Sequence, residues 1–215
     1  MALDFYHGQG SPFSWRVWLA LEQLAIPYNL KVLSFQNNET TRPDFVAINP
    51  RHQVPTIVDD GFALWESTVI LEYLDERFGG GKRLYPGDAK RRAHIRRVVR
   101  EAEEYLYTEG ISPIVDEFFY SGDKGPDVAR VEKARQRVGE ELQYLARELK
   151  GPFFDGGEPT AIDWVLAPLL GYVWRINFRK PDSKLEELVP APLAEYHARI
   201  KALPYYDKTF PTHWR

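Results

Sequence analysis

Apolar and polar positions follow two different periods in the two parts of this chain. In the first part short alternating stretches are separated by helical ones. Leu3-Asp4-Phe5-Tyr6 predicts a strand, Pro12 to Ala25 a helix with Val17, Leu21 and Leu24 on one face, and Tyr28 to Leu33 a second strand. A short helical stretch near Arg42 to Ala47 follows. Two strands, Thr56-Ile57-Val58 and Phe62-Ala63-Leu64, then flank an Asp59-Asp60-Gly61 turn, and a helix is predicted from Glu66 to Arg77. The order βαβαββα implies a mixed sheet of four strands.

Beyond this the pattern is helical throughout. Ile95, Val98, Val99, Ala102 and Leu106 mark one helix, and Val128, Val131, Val138, Leu142, Leu145 and Leu149 a second, at spacings of three and four. Thr160-Ala161-Ile162-Asp163 has the form of a capping box and starts a third helix through Trp164, Val165, Leu169 and Val173. A last helix is expected from about Pro192 to Leu203. Gly79-Gly80-Gly81 and Lys82 to Gly87 read as a linker, because glycine imposes no φ preference and Pro86 disfavours helix at Tyr85. The predicted domains are 1–79, a linker at 80–87, and an all-α domain at 88–215.

Charge supports that boundary. The net charge is −3, but residues 1–79 carry 5 Lys/Arg against 10 Asp/Glu, leaving a small positive excess in the remainder. So weak a net charge argues against nucleic acid as the main partner. The sequence shows no secretory leader and no apolar run near ~18 residues, so no membrane partner is expected and the cytoplasm is the default location. Cysteine is absent, which excludes a disulfide framework, a thiolate metal site and a cysteine nucleophile. Any thiol chemistry must use a thiol that a ligand brings.

Three segments carry candidate chemistry. Ser11-Pro12 is a common helix start, with Ser as N-cap and Pro at the first helical position, and a hydroxyl there also shares the positive end of the helix. Asn49-Pro50-Arg51-His52-Gln53-Val54-Pro55 enters the third strand through a Val-Pro step, which is a trans edge-strand entry or a cis bond. Glu66-Ser67 opens a helix whose amides suit a carboxylate, although such a pair is also an ordinary solvated helix start.

Together, Ser11-Pro12-Phe13-Ser14-Trp15-Arg16-Val17, the Asn49 to Pro55 segment, Glu66-Ser67 and the Thr160 to Asp163 box resemble the cytosolic glutathione transferase superfamily over the whole chain. The serine-type, zeta- and tau-like members are the most similar. Pro12-Phe13 departs from the zeta Ser-Cys pair, which argues against maleylacetoacetate isomerisation. The resemblance implies a thioredoxin-like N-terminal domain with a mixed four-stranded sheet, followed by an all-α helical domain. It implies Ser11 as the catalytic hydroxyl, with Ser14 as its rival, and a cis Val54-Pro55 bond whose Val54 backbone pairs with the cysteinyl unit of glutathione. Glu66 and Ser67 would take the γ-glutamyl end, and Gln53, with His52 or Arg51, the glycyl end. Glutathione is then a cosubstrate, with no cofactor and no metal.

The second substrate would be an apolar electrophile. Its pocket is expected from Phe13, Tyr107, Ile111, Ile114 and Phe118, although an aromatic stripe on a helix is more often core. The basic run Lys90-Arg91-Arg92, Arg96-Arg97 and Arg100 reads as a solvated face or, by the resemblance, as part of a homodimer interface. The implied role is a detoxifying transferase. The alternatives are a glutathione-dependent isomerase or lyase on the same scaffold, and a non-enzymatic binding module.

Overall fold

The computed structural model describes residues 3–214, except the side chain of Lys124. Two compact units result: Met1–Pro86 together with Leu203–Arg215, and Gly87–Ala202.

The first unit is built on strands β1 (Leu3–Gly8), β2 (Tyr28–Leu33), β3 (Thr56–Asp59) and β4 (Phe62–Trp65), in the spatial order β2-β1-β3-β4. β1 and β2 are parallel, with Leu3 opposite Tyr28, and the crossover such a pair requires is supplied by helix α1 (Pro12–Gln23). β3 is antiparallel to both β1 and β4. This is the thioredoxin-like mixed sheet. Helices α2 (Pro43–Val46) and α3 (Ser67–Phe78) complete it, and α3 packs on α1.

Helix α1 buries all of its residues except Phe13 and Glu22, so it lacks the single apolar stripe that its sequence suggests. It also stops before Ala25, which lies at φ 54 while the Ile26 amide closes back onto the Leu21 carbonyl at 3.0 Å. That left-handed step turns the chain toward β2 and stops helical pairing two residues before the predicted end.

The expected linker is docked rather than loose. Buried Asp75 on α3 accepts from Arg83 Nε at 3.1 Å and Nη2 at 2.8 Å, and from the backbone amides of Leu84 and Tyr85. Leu84 and Tyr85 are accordingly buried.

The second unit is helical: α4 (Ala89–Glu101), a π-helical segment (Ala102–Ile111), α5 (Ser112–Tyr120), α6 (Val128–Glu148), α7 (Ala161–Arg179) and α8 (Ala191–Lys201). Helix α7 is apolar on nearly every side and forms the centre of this unit. Its start is fixed by Asp163, whose carboxylate accepts from the Thr160 amide at 2.7 Å and the Phe154 amide at 3.0 Å. The π-helical segment breaks what reads in sequence as one continuous helix. There the Thr108 hydroxyl donates back to the Glu103 carbonyl at 3.0 Å, and a β-carbon on Gly110 would lie 2.8 Å from Val138 Cγ2, so the widened turn permits close approach to α6.

The C-terminal segment, with the short helix α9 (Tyr206–Thr209), belongs to the first unit and packs on α1.

Candidate active site

The strand-to-helix turn after β1 is drawn together around Gly8. The Ser11 amide donates to the Gly8 carbonyl at 3.1 Å, and the Gly8 amide donates to Ser14 Oγ at 3.3 Å. Ser11 caps α1: its Oγ accepts from the Ser14 amide at 3.2 Å, with φ −77 and ψ 118 placing it just outside the helix. The two serines are therefore distinguished by burial. Each oxygen accepts from one backbone amide and each hydroxyl keeps its own proton, but Ser14 is fully buried whereas Ser11 is half-buried.

Gly8 also fixes the position of the Val-Pro loop. A β-carbon there would lie 2.6 Å from Val54 Cγ2 and 2.5 Å from Phe35 Cζ, so only glycine lets Val54 settle against the end of β1. The Val54-Pro55 peptide is cis. Its loop is held by Asn49, fully buried, whose Nδ2 donates to the Gln53 carbonyl at 2.8 Å and Thr56 Oγ1 at 2.9 Å while its Oδ1 accepts from the Arg51 amide at 2.8 Å. Arg51, His52 and Gln53 are exposed, and His52 is in the left-handed region at φ 58.

Pairing of Thr56 with Trp65 across β3 and β4 carries Glu66-Ser67 to the same end of the sheet. Glu66 is exposed and sits at φ 68, ψ 106 before the first turn of α3, a conformation that non-glycine residues seldom hold and that concentrates at functional sites. Ser67 is buried, and its Oγ accepts from Arg16 Nη1 at 3.1 Å. Arg16 is itself fully buried on α1, with its guanidinium 4.8 Å from the centre of the Phe13 ring.

The glutathione S-transferase N-terminal domain model matches residues 10–77 and the glutathione S-transferase C-terminal domain model residues 70–199. This chain belongs to the glutathione S-transferase family. Among solved structures it is similar to a glutathione S-transferase of the Antarctic clam Laternula elliptica, at 27% identity and TM-score 0.80 over 100% of this chain and 94% of that one. A delta-class glutathione transferase of Nilaparvata lugens matches at 25% identity and TM-score 0.80, over 99% and 95% of the two chains. A Bombyx mori glutathione transferase solved in complex with GTT has the same fold at 23% identity and TM-score 0.78, over 100% and 95%.

In this transferase the first unit brings together Ser11, Val54-Pro55 and Glu66-Ser67, three segments far apart in sequence. Of the expected electrophile residues, Phe13 is half-buried in the first unit; Tyr107 and Phe118 are half-buried in the second. Ile111 and Ile114 are fully buried and serve the core of the second unit. The basic run of the transferase is engaged within its own unit: Arg91 pairs with Asp155 at 2.6 Å, Arg97 with Glu101 at 2.7 Å and Glu148 at 3.0 Å, and Arg100 with Glu104 at 2.9 Å.

Sequence reasoning assigned no role to Arg16 or Asn49. For Arg16 a signal was present, since it is the one charged residue within the otherwise apolar run Trp15-Arg16-Val17-Trp18-Leu19. Among the described residues no group of three or more His, Asp or Glu is placed to hold a metal, and no helix is long and apolar enough to cross a membrane.

Proposed function

We propose that this glutathione transferase is of the serine type, with Ser11 donating its hydroxyl proton to the glutathione sulfur and so holding it as thiolate. The observation that carries this reading is the Ser14 amide donating to Ser11 Oγ at 3.2 Å, at the N-cap of a helix of 12 residues. That bond occupies a lone pair of Ser11 and leaves the O–H as the donor. A free thiol with pKa near ~8.5 is only about 3% ionised at pH 7, and a lowering of ~2 units requires about 2.7 kcal/mol. The helix terminus supplies roughly 0.3–1 kcal/mol, too little alone, whereas a hydrogen bond to a charged group adds about 1.5–3 kcal/mol. The hydrogen bond is therefore the larger contribution, and at Ser11 the helix terminus adds to it.

Recognition follows from the neighbouring segments. The Val54 backbone pairs with the cysteinyl unit of glutathione. The first amides of α3 and the Ser67 hydroxyl, whose oxygen already accepts from Arg16, take the γ-glutamyl carboxylate, with Glu66 on its ammonium. Gln53 and His52 serve the glycyl end. The thiolate then forms an S–C bond with an apolar electrophile, which either expels a leaving group with its electron pair or gains a proton. The residues that the family resemblance assigns to that substrate are Phe13 in the first unit and, in the second, Tyr107 and Phe118, which are half-buried; Ile111 and Ile114, between those two in sequence, belong to the core.

The chain works in this reading as a cytoplasmic, detoxifying homodimer. Exposed Phe62 on β4 and Val69 on α3 support a subunit contact at that face, which sedimentation of the purified protein tests directly. For the catalytic role the test is Ser11→Ala: turnover falls at least tenfold while glutathione affinity changes little. Unchanged kinetics would remove Ser11 from the mechanism.

A further inference from the structure

The C-terminal segment is fastened along α1 and ends on the turn that carries Ser11. Trp15, fully buried on α1, donates its indole N–H to Thr209 Oγ1 at 3.1 Å. Its ring meets Tyr206, Phe210 and Trp214 edge-on, at centroid distances of 5.6, 5.4 and 5.7 Å. One helical turn or two further along α1, Lys208 pairs with Glu22 at 2.6 Å. Thr209 and Tyr206 are buried, so the segment is part of the packed interior of its unit rather than a loose end.

Its last described residues then reach Gly10. This glycine stands at φ 81, immediately before Ser11, and the turn of His213 and Trp214 lies against it. A β-carbon on Gly10 would overlap the His213 imidazole and lie 3.1 Å from Trp214 Nε1. The turn is therefore gripped from both sides: Ser14 and Val54 bear on Gly8, and His213 and Trp214 bear on Gly10. A hydroxyl can strengthen a bond to a sulfur anion only if its direction is held, and a few tenths of an ångström at the turn alter that bond.

We infer that His213 and Trp214 are positioning residues for thiol activation: by pressing on Gly10 they fix the direction in which the Ser11 hydroxyl points. The inference rests on the serine-type reading above. It implies that the C-terminal segment, anchored through Trp15, sets the acidity of the bound thiol by way of Gly10.

The test uses full-length Trp214→Ala, Trp214→Phe and His213→Ala, with Ser11→Ala in parallel, and follows the pKa of glutathione bound to each protein by thiolate absorbance. Trp214→Ala is expected to raise that pKa by about one unit, a tenfold fall in the acid dissociation constant, and to lower kcat below neutral pH while glutathione affinity stays within about twofold. Trp214→Phe, which keeps a ring on Trp15, is expected to restore most of the effect. His213→Ala removes only an exposed ring, so it carries the test if Trp214→Ala does not fold, and is expected to shift ionisation by about threefold. If Ser11→Ala raises the thiol pKa but the folded Trp214 and His213 variants keep the wild-type value, the positioning role is overturned and the serine mechanism stands. If Ser11→Ala leaves the thiol pKa unchanged, the serine mechanism fails and this inference with it.

Discussion

Arg16 on α1 and Ser67 at the start of α3 are joined by a hydrogen bond of 3.1 Å from Nη1 to Oγ, with the whole guanidinium out of solvent. The bond ties the helix that begins at Ser11 to the helix that begins after Glu66. A buried cation costs several kcal/mol to desolvate, so its geometry and its partners decide whether the fold tolerates it.

Arg16→Lys keeps the charge but loses the planar fork and the stacking over Phe13. We expect a loss of about 1–3 kcal/mol in unfolding free energy and a several-fold rise in KM for glutathione, because the Ser67 hydroxyl is no longer held. Urea titration and steady-state kinetics check the two effects separately. Wild-type stability in the lysine variant would show that the guanidinium fork is not what the site requires.

Ser14→Ala separates the two serines. Removal of the Ser14 hydroxyl leaves the Gly8 amide buried without its acceptor, at a cost of about 1–3 kcal/mol, while the Ser14 backbone still donates to Ser11. The thermal midpoint is expected to fall by several degrees, with the pKa of the bound thiol unchanged. A loss of thiol acidity greater than that of Ser11→Ala would reverse the assignment.

Asn49 organises the loop ahead of Val54 by three hydrogen bonds made from a fully buried side chain. Asn49→Ala leaves the Gln53 carbonyl with only the Thr56 hydroxyl at 3.0 Å, removes the acceptor of the Arg51 amide and frees that loop. Weaker glutathione binding by at least fivefold, with kcat nearly preserved, is the expected outcome, since the Ser11 turn is left intact. Isothermal titration with glutathione measures it.

Acid is expected to destabilise the protein between pH 6.5 and about 4. Burial lowers both His7 and His197 from 6.5 to about 4, so the folded state holds them neutral while the unfolded chain takes up their protons. Their contribution is complete above pH 6.5 and is lost as pH falls toward 4. Asp163 acts in the opposite sense: burial raises it to about 6, against the pull of its bonds to Thr160 and Phe154, so it favours the fold more as pH drops below 6. Two histidines against one carboxylate leave a net loss on acidification. Denaturant midpoints at pH 7 and pH 5 read it, and replacement of His7 by Gln is expected to flatten the difference; a higher midpoint at pH 5 than at pH 7 in the wild type would contradict the balance.

Much of the fold was legible because period and punctuation are local. The alternation at Leu3 to Tyr6 and Thr56 to Val58, the three- and four-residue spacings after Ile95, and the Thr160 to Asp163 box each report a short stretch of backbone, and each has its counterpart in the structure. The departures arise where a local rule met a tertiary demand. Helix α1 stops at Gln23 because Ala25 must turn the chain into β2, and a helix continuous in pattern widens at Ala102–Ile111 to seat Gly110 against Val138.

The site divides along the same line. By itself the sequence determined the chemical inventory: no cysteine, a serine at a strand-to-helix turn, a Val-Pro step and an Asn49 to Pro55 loop, and Glu66-Ser67 at a helix start. Only the tertiary structure told the two serines apart, by burying Ser14 fully against the end of β1 while leaving Ser11 half-buried at the turn. It alone joined Arg16 to Ser67 and laid Trp214 over Gly10, contacts that bridge 51 residues in one case and about two hundred in the other. Hydrogen bonds and packing act over a few ångströms in space, and no periodicity along the chain records which distant residues the sheet and helices will bring within that range.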